Sequence, residues 1–479
     1  MLFNSFEFLL FLPTVFALYW FVFRPLKAQN LLVVAASYLF YGWWDVRFLL
    51  LIALTSLCSF ASGIGLQRFE GKRWLRRLVC GGNIVLNLGI LCYFKYCNFF
   101  GENFSELLRL VGLQADWVTL DILLPVGISF YTFQALSYTI DVYRGRIAPT
   151  RDLVAFMAFI SFFPQLVAGP IERATNLLPQ FLAPRTFNRH QAVDGMRQIL
   201  WGFFKKVVVA DNCAMAVNEI FADYQTLDSF NLLCGALLFM FQIYGDFSGY
   251  SDIAIGTARL FGIRLMRNFH YPYFSRNIAE FWKRWHISLN TWFTDYLYIP
   301  LGGSRCSRSR ALHNVFIIFL ISGFWHGANW TFVTWGLYHA LLFVPLMWFG
   351  RNRKYTTPVA AGRLLPSFVE LAQMVCTAFL AMIGWIIFRA EHIDQAWTYI
   401  GRMFTDGHIG TPRFEEKTFL FILFLLIVEW LQREKEHGLQ ITSTGLLRYR
   451  TARWGIYYGI LIAILLLTGR QEDFIYFQF

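Results

Sequence analysis

The stretch VFIIFLISGFWHGANWTFVTWGLYHALLFVPLMW (residues 315–348) decides the fold of this chain. It contains two apolar runs, which begin near Val315 and Thr331, and a helix needs roughly 20 such residues to cross about 30 Å of hydrocarbon. His326 stands between the runs, with a tryptophan on either side. An ionisable side chain at mid-membrane depth costs roughly 2.5 kcal/mol or more, so it usually marks a site. The stretch predicts membrane helices and a functional histidine; a buried histidine bonded to a carbonyl is the alternative.

The composition extends this interpretation to the whole chain. Of 479 residues, 57% are hydrophobic and 15% are charged, and the mean hydropathy is +0.46, values typical of a multi-pass membrane protein rather than a soluble domain. The run at 31–44 predicts a tilted or partial span. Full spans are predicted to begin near Phe6, Phe48, Leu78, Ile199, Asn231, Val315, Thr331, Leu371, Phe419 and Trp454.

The net charge of +12 does not indicate a nucleic-acid partner. The basic residues are dispersed in short loops between apolar runs instead of forming one basic face. Placing most of these loops in the cytoplasm satisfies the positive-inside rule, and both chain ends then face outward. The first apolar run lacks a basic region and a cleavage site, so we expect it to be a retained membrane helix.

The chain is predicted to form a single membrane domain over residues 1–479, with 471–479 as a short outward-facing aromatic tail, because neither linkers nor repeats divide it. Two segments are unusual for spanning helices: LPVGISFYTFQ (124–134) and FPQLVAGPIER (163–173). Broken backbone at membrane depth is tolerated where protein or a watery cavity covers it, so both predict re-entrant pieces. Ordinary proline kinks are the alternative.

The segment EFWKRWHISLNTWFTDYLYIPLGGSR (280–305) combines charged residues with tryptophans and predicts a helix at the membrane interface. His286 and Asn290 are four residues apart and would share a helical face. The segment could bind an anionic cytosolic ligand, or its charges could simply be solvated.

Upstream, YGDFSGYSDIAIG (244–256) places Asp246 and Asp252 in an apolar region. Two carboxylates without a companion histidine or a regular ligand spacing do not specify a metal, so no metal site is predicted; hydrogen bonding at a helix break is favoured. The chain also lacks the sequence motifs of P-loop proteins, dinucleotide-binding proteins and the common hydrolases.

Taken together, these segments resemble the membrane-bound O-acyltransferases, specifically the bacterial branch of alginate O-acetyltransferases and related acetylases of cell-envelope polysaccharides. The resemblance covers nearly the whole chain, in order. It is carried by ASYLFYGWWD (36–45), LPVGISFYTFQ, DVYRG (141–145), FFPQLVAGPIER, DFSGYSDIAIG, FWKRWHISL with DYLYIPLGG, GFWHGANW (323–330) and GWIIFRAE (384–391).

The resemblance implies a ring of tilted helices with re-entrant segments around a central funnel. It implies that His326 is the catalytic residue on the thin central floor and that His286 occupies the second polar position of the family. A histidine can remove the proton of a hydroxyl as that hydroxyl attacks a thioester. The residues expected to bind or orient substrate are Asn290, Asp295, Trp325 and Asn329.

The same resemblance implies an acetyltransferase of the bacterial inner membrane that takes acetyl from a cytosolic donor, acetyl-CoA, for O-acetylation of an exported polysaccharide. No tightly bound cofactor is expected. The implied partners are the polysaccharide, membrane lipids and a periplasmic SGNH-type acetyltransferase. Lipid acylation is an alternative within the family; a transporter in which His326 relays protons is another, although transport predicts repeated halves that the sequence lacks.

The chain ends in DFIYFQF (473–479), whose single hydroxyl is that of Tyr476. This ending resembles the tyrosine-bearing tails of bacterial envelope-acylation systems, which implies that Tyr476 carries the acyl group. An aromatic anchor at the outer interface is the alternative interpretation.

Overall fold

The secondary structure is entirely helical across the residues that the computed structural model describes, which confirms the predicted all-α class. The helices group into two compact units, Met1–Ala192 with Ala258–Met266 and Val193–Thr257 with Arg267–Phe479. The predictions of a single domain and of a ring around a funnel stay predictions. The described residues are 1–113, 117–408, 410–442, 445–470, 472 and 474–475.

The first unit begins with an apolar helix that is capped by the side chain of Ser5 and continues as a π-helical turn, Leu18–Val22. A 3-10 turn, Val46–Phe48, leads into the third helix. Its helices are α1 (Phe6–Ala17), α2 (Leu26–Gly42), α3 (Leu49–Arg68), α4 (Arg73–Leu110), α5 (Ile128–Tyr143), α6 (Leu153–Ser161), α7 (Phe163–Leu166) and α8 (Ala174–Leu182).

The two unusual segments of the first unit are broken and buried. Gly127, with φ 74°, precedes α5, and α7 is only four residues long before the chain turns toward α8. A Cβ at Gly127 would lie 2.5 Å from the carbonyl oxygen of Leu166, so the two segments pack directly on each other. Both segments therefore contain irregular backbone enclosed by protein, which is more than a proline kink alone; that they are re-entrant stays a prediction.

The second unit contains the remaining helices and two further π-helical stretches, Phe204–Ala210 and Thr294–Tyr298. The helices α14 and α15 form an antiparallel hairpin in which the backbones approach closely at Gly323 and Gly336. The helices are α9 (Arg189–Phe203, which begins in the first unit), α10 (Asp211–Ala222), α11 (Ser229–Leu260), α12 (Ile278–Arg284), α13 (Ile287–Phe293), α14 (Arg308–His326), α15 (Trp330–Trp348), α16 (Phe368–Arg389), α17 (Ile393–Thr405), α18 (Lys417–Leu431) and α19 (Arg450–Leu466).

Among the described residues, five helices are long and apolar enough to cross a membrane, which confirms a multi-pass membrane protein. Five of the ten predicted span starts fall in them. The others fall in helices that are shorter or more polar: α18 has 15 residues, α19 has 17, and α14 begins with two arginines. The five are Val46–Arg68, Arg73–Leu110, Ser229–Leu260, Trp330–Trp348 and Phe368–Arg389.

We expect Gly127→Ala to lower the thermal stability of the purified protein more than Gly145→Ala does. Both glycines flank α5 with positive φ, 74° and 70°, which costs an alanine about 1–2 kcal/mol. Only at Gly127 would the new methyl group meet backbone atoms; at Gly145 it would meet nothing within 4 Å. Overpacking adds roughly 1–3 kcal/mol. Melting temperatures in one detergent measure the difference, and equal losses would contradict the close packing.

Candidate active site

His326 is the last residue of α14, where the hairpin turns into α15. Only 5% of its surface is exposed. The turn is held by Asn329, whose side-chain oxygen accepts the N–H of Thr331 at 3.0 Å and whose amide nitrogen donates to the carbonyl of Glu391 at 2.8 Å. Capping of α15 by Asn329 therefore fixes the backbone immediately after the histidine.

Aromatic rings surround the imidazole of His326. The ring centroids of Trp325, Trp335 and Phe388 lie 5.0, 5.1 and 5.4 Å from it, and they come from α14, α15 and α16. These rings are all buried. Such walls exclude water and strengthen the electrostatic interactions of any polar group between them.

His286 lies at the break between α12 and α13, with φ 45° and ψ 52°. The prediction of one helix with His286 and Asn290 on a shared face is therefore wrong. The helix breaks at Trp285, whose backbone is extended. The amide nitrogen of Asn290 stabilises the break by donating to the carbonyls of Trp282 and Trp285, at 2.7 and 2.6 Å. The amide of Asn290 thus satisfies carbonyls that the ended helix leaves without partners.

Asn268 orients the buried ring of His286. Its side-chain oxygen lies 3.0 Å from Nδ1 of His286 and accepts the hydroxyl of Ser288 at 2.9 Å, while its nitrogen donates to Ser251 at 3.1 Å. An amide oxygen only accepts, so Nδ1 carries the proton and Nε2 of the neutral ring is left as an acceptor. Burial lowers the pKa of His286 to about 3, which keeps the ring neutral.

The two imidazoles lie close together within the second unit. Their centroids are 6.4 Å apart, and Trp325 is 5.9 Å from the ring of His286. At this separation one small reacting group can contact both rings. The structure thus brings together three of the predicted site residues, His286, Trp325 and His326.

The other predicted site residues have different surroundings. Asn290 and Asn329 bond to backbone groups of helix ends, and Asp295 lies partly exposed in the π-helical stretch that follows α13. Tyr476 lies outside the described residues. Sequence reasoning missed Asn268, because a lone asparagine in a basic loop carries no pattern that distinguishes it.

The sequence suggested a helix break at Asp246 and Asp252. That prediction is wrong, because α11 continues through both residues. They pair instead with consecutive lysines: Lys206 lies 2.9 Å from Asp246, and Lys205 lies 2.6 Å from Asp252. The lysines can reach because glycines bring the backbones together; a Cβ at Gly249 would lie 2.8 Å from the carbonyl of Gly202.

Asn268 also forms part of the wall of a small cavity in the second unit, which both polar and apolar side chains line. Its wall includes Ser251, which binds Asn268, and the Lys205–Asp252 pair. The hydroxyl of Tyr244 donates to the carboxylate of Glu429 at 2.9 Å in the same wall. Changes in this cavity can therefore alter the orientation of His286 without touching its ring.

Comparison with known proteins agrees with this arrangement. The sequence model of the membrane-bound O-acyltransferase family matches residues 147–387, a range that holds both histidines. A probable alginate O-acetylase of Azotobacter vinelandii is 41% identical over 85% of this chain and 79% of its own length. The corresponding Pseudomonas aeruginosa protein is 42% identical over 85% and 75%, and a peptidoglycan O-acetyltransferase of Helicobacter pylori is 30% identical over 94% and 91%.

The match covers half of the chain, and the relatives cover most of it at this identity. The resemblance that the motifs suggested is thereby confirmed. The chain belongs to the membrane-bound O-acyltransferase family and is an O-acyltransferase.

Proposed function

We propose that this enzyme moves an acetyl group from acetyl-CoA on the cytosolic side of the bacterial inner membrane to a hydroxyl destined for an exported polysaccharide. The observation that carries the proposal is the buried pair of His286 and His326 inside aromatic walls, with Asn268 fixing the tautomer of the first. Acyl transfer needs a general base and a group that orients the substrate. His326 and His286 can supply these two functions, because both are within reach of one small substrate group.

His326 acts as the base. It takes the proton of the attacking hydroxyl as the new carbon–oxygen bond forms at the thioester carbonyl. The carbon–sulfur bond then breaks, and the proton passes to the leaving thiolate, so that the imidazole is neutral again. The buried rings of Trp325, Trp335 and Phe388 keep water from competing with the hydroxyl.

His286 holds the donor. Its Nδ1 proton is committed to Asn268, so Nε2 can accept a hydrogen bond, for example from an amide N–H of the pantetheine arm. A neutral ring suits this role because it adds no charge beside the thioester. We assign Asp295 to the same donor-binding function, because this acidic residue is partly exposed in the π-helical stretch that follows α13.

The acceptor class is inferred from the relatives. Their names describe acetylation of alginate and of peptidoglycan, both of them glycans. We infer that this chain also serves a polysaccharide, with Tyr476 as an intermediate acyl carrier and a periplasmic SGNH-type acetyltransferase completing the transfer. A phenol ester suits a relay because it is a better acyl donor than an alkyl ester.

We expect His326→Ala to reduce acetyl transfer by about 10²- to 10⁴-fold, the usual cost of losing a general base. His339→Ala is the matched control, because His339 is also buried and its ring lies 5.0 Å from the same Trp335. Transfer from radiolabelled acetyl-CoA in membrane vesicles measures both. Near-normal transfer by well-folded His326→Ala protein would remove the central role of this residue.

We expect His286→Ala and Asn268→Ala to weaken donor binding by similar factors, with smaller effects on maximal rate than His326→Ala has. The reason is that Asn268 acts only through the ring that it orients. Titration with a nonreactive donor analogue gives the affinities. If Asn268→Ala binds the analogue as wild type does while His286→Ala does not, the hydrogen bond between them has no part in donor binding.

We expect Tyr476→Phe to lower polysaccharide acetylation sharply while leaving the protein level unchanged, since it removes only the hydroxyl. Mass spectrometry of wild-type protein, incubated with donor and without acceptor, should detect acetyl on Tyr476. Wild-type acetylation by the variant, or absence of the modified peptide, would leave Tyr476 as an interfacial anchor and favour direct transfer at His326.

A further inference from the structure

The chain segment after α19 is fastened to the second unit through its backbone. The N–H of Ile475 donates to the carboxylate of Asp246 at 2.7 Å, and Lys206 donates to the carbonyl of Glu472 at 3.1 Å. Earlier in the segment, the amide of Asn212 donates to the carbonyl of Leu467 at 2.9 Å. Contacts to backbone atoms fix the course of a chain whatever its side chains are.

The side chains that receive this segment form a buried ionic cluster. Lys206 lies 2.9 Å from both Asp211 and Asp246, and all three are largely buried. The Lys206 ammonium lies between the two acidic side chains, and the N–H of Ile475 donates a further hydrogen bond to Asp246. A buried ion group of this kind adds little to stability compared with apolar packing.

The same segment packs toward the histidine pair, His286 and His326. Phe474 is 3% exposed, and its ring centroid lies 5.0 Å from Tyr250 and 6.2 Å from Phe247. Phe247 also contacts His286, edge to face at 4.7 Å. A single aromatic ring therefore connects the docked segment with the ring that we assign to donor binding.

We propose that the Lys206–Asp211–Asp246 cluster is a docking site for the described residues that follow α19 (467–470, 472 and 474–475), and that it positions Tyr476 for acyl relay at the histidine pair. The role in relay depends on the proposed function, whereas the docking does not. Tyr476 follows Ile475 directly, and consecutive Cα atoms are about 3.8 Å apart, so an anchor at Ile475 limits the volume that its hydroxyl can search. Lys206 and Asp246 are thus positioning residues for the transfer.

Hydrogen–deuterium exchange of the full-length protein in lipid nanodiscs tests the docking without any donor. Asp246→Ala removes the acceptor of the Ile475 N–H, and Lys206→Met removes the charge that holds Asp246 and Glu472. We expect exchange in the peptide that contains Ile475 to accelerate about tenfold in both, as loss of a hydrogen bond allows. Lys206→Arg keeps the charge and should keep the protection.

Asp252→Ala is the matched control. It breaks the neighbouring Lys205–Asp252 pair, which joins the same two helical stretches at 2.6 Å, and it should leave exchange in the segment unchanged. If Asp246→Ala does not fold, Phe474→Ala removes packing of the segment alone and should give the same acceleration. Wild-type exchange in Lys206→Met, or equal acceleration in Asp252→Ala, would overturn the docking site.

A second measurement separates docking from relay. With acetyl-CoA supplied, the rate at which acetyl appears on Tyr476 should fall in Lys206→Met and recover in Lys206→Arg, while affinity for a nonreactive donor analogue stays at the wild-type value. Faster exchange with an unchanged rate of tyrosine acetylation would overturn the positioning role. Absence of acetyl-tyrosine in wild-type protein would count against the proposed relay and leave the exchange result standing.

Discussion

The hydrogen bond between Asn268 and His286 is the interaction on which the site depends. An imidazole enclosed by aromatic rings must have a partner for its N–H, since an unpaired polar group in such surroundings costs free energy. Asn268 supplies that partner, and Ser251 and Ser288 fix Asn268 in turn. The tautomer of His286 and the direction of its second nitrogen follow from this network, while burial keeps the ring neutral.

Close approach of α9 and α11 is the second condition. Because glycines face each other at Gly202 and Gly249, the two consecutive lysines that follow α9 reach acids on α11. Both resulting ion pairs lie next to functional groups: Lys205 borders the cavity that Asn268 lines, and Lys206 meets the C-terminal segment. The close packing of α9 and α11 thus determines where the Lys205–Asp252 and Lys206–Asp246 pairs lie in the second unit.

Much of this could be predicted from the sequence, because the signals were strong and local. Apolar runs gave the all-helical membrane class, and the ordered motifs gave the family; they also singled out His326, whose catalytic role stays a prediction. The break at His286 could not be predicted from spacing, since a period of four residues indicates a helix and the capping of carbonyls by Asn290 is not visible in the pattern. The role of Asn268 depends on contacts with residues 17 to 20 positions away. The acids of α11 were misread for the same reason, as their lysine partners lie 40 and 47 residues earlier.

A structure of the full-length protein with a nonhydrolysable acetyl-CoA analogue tests the central claim most directly. We predict that the carbonyl carbon of the analogue lies between the rings of His286 and His326, close enough for an attacking hydroxyl to meet the base at about 3–3.5 Å. We also predict a donor amide within hydrogen-bonding distance of Nε2 of His286. An analogue bound with its carbonyl away from both rings would contradict the assignment of this pair as the catalytic centre.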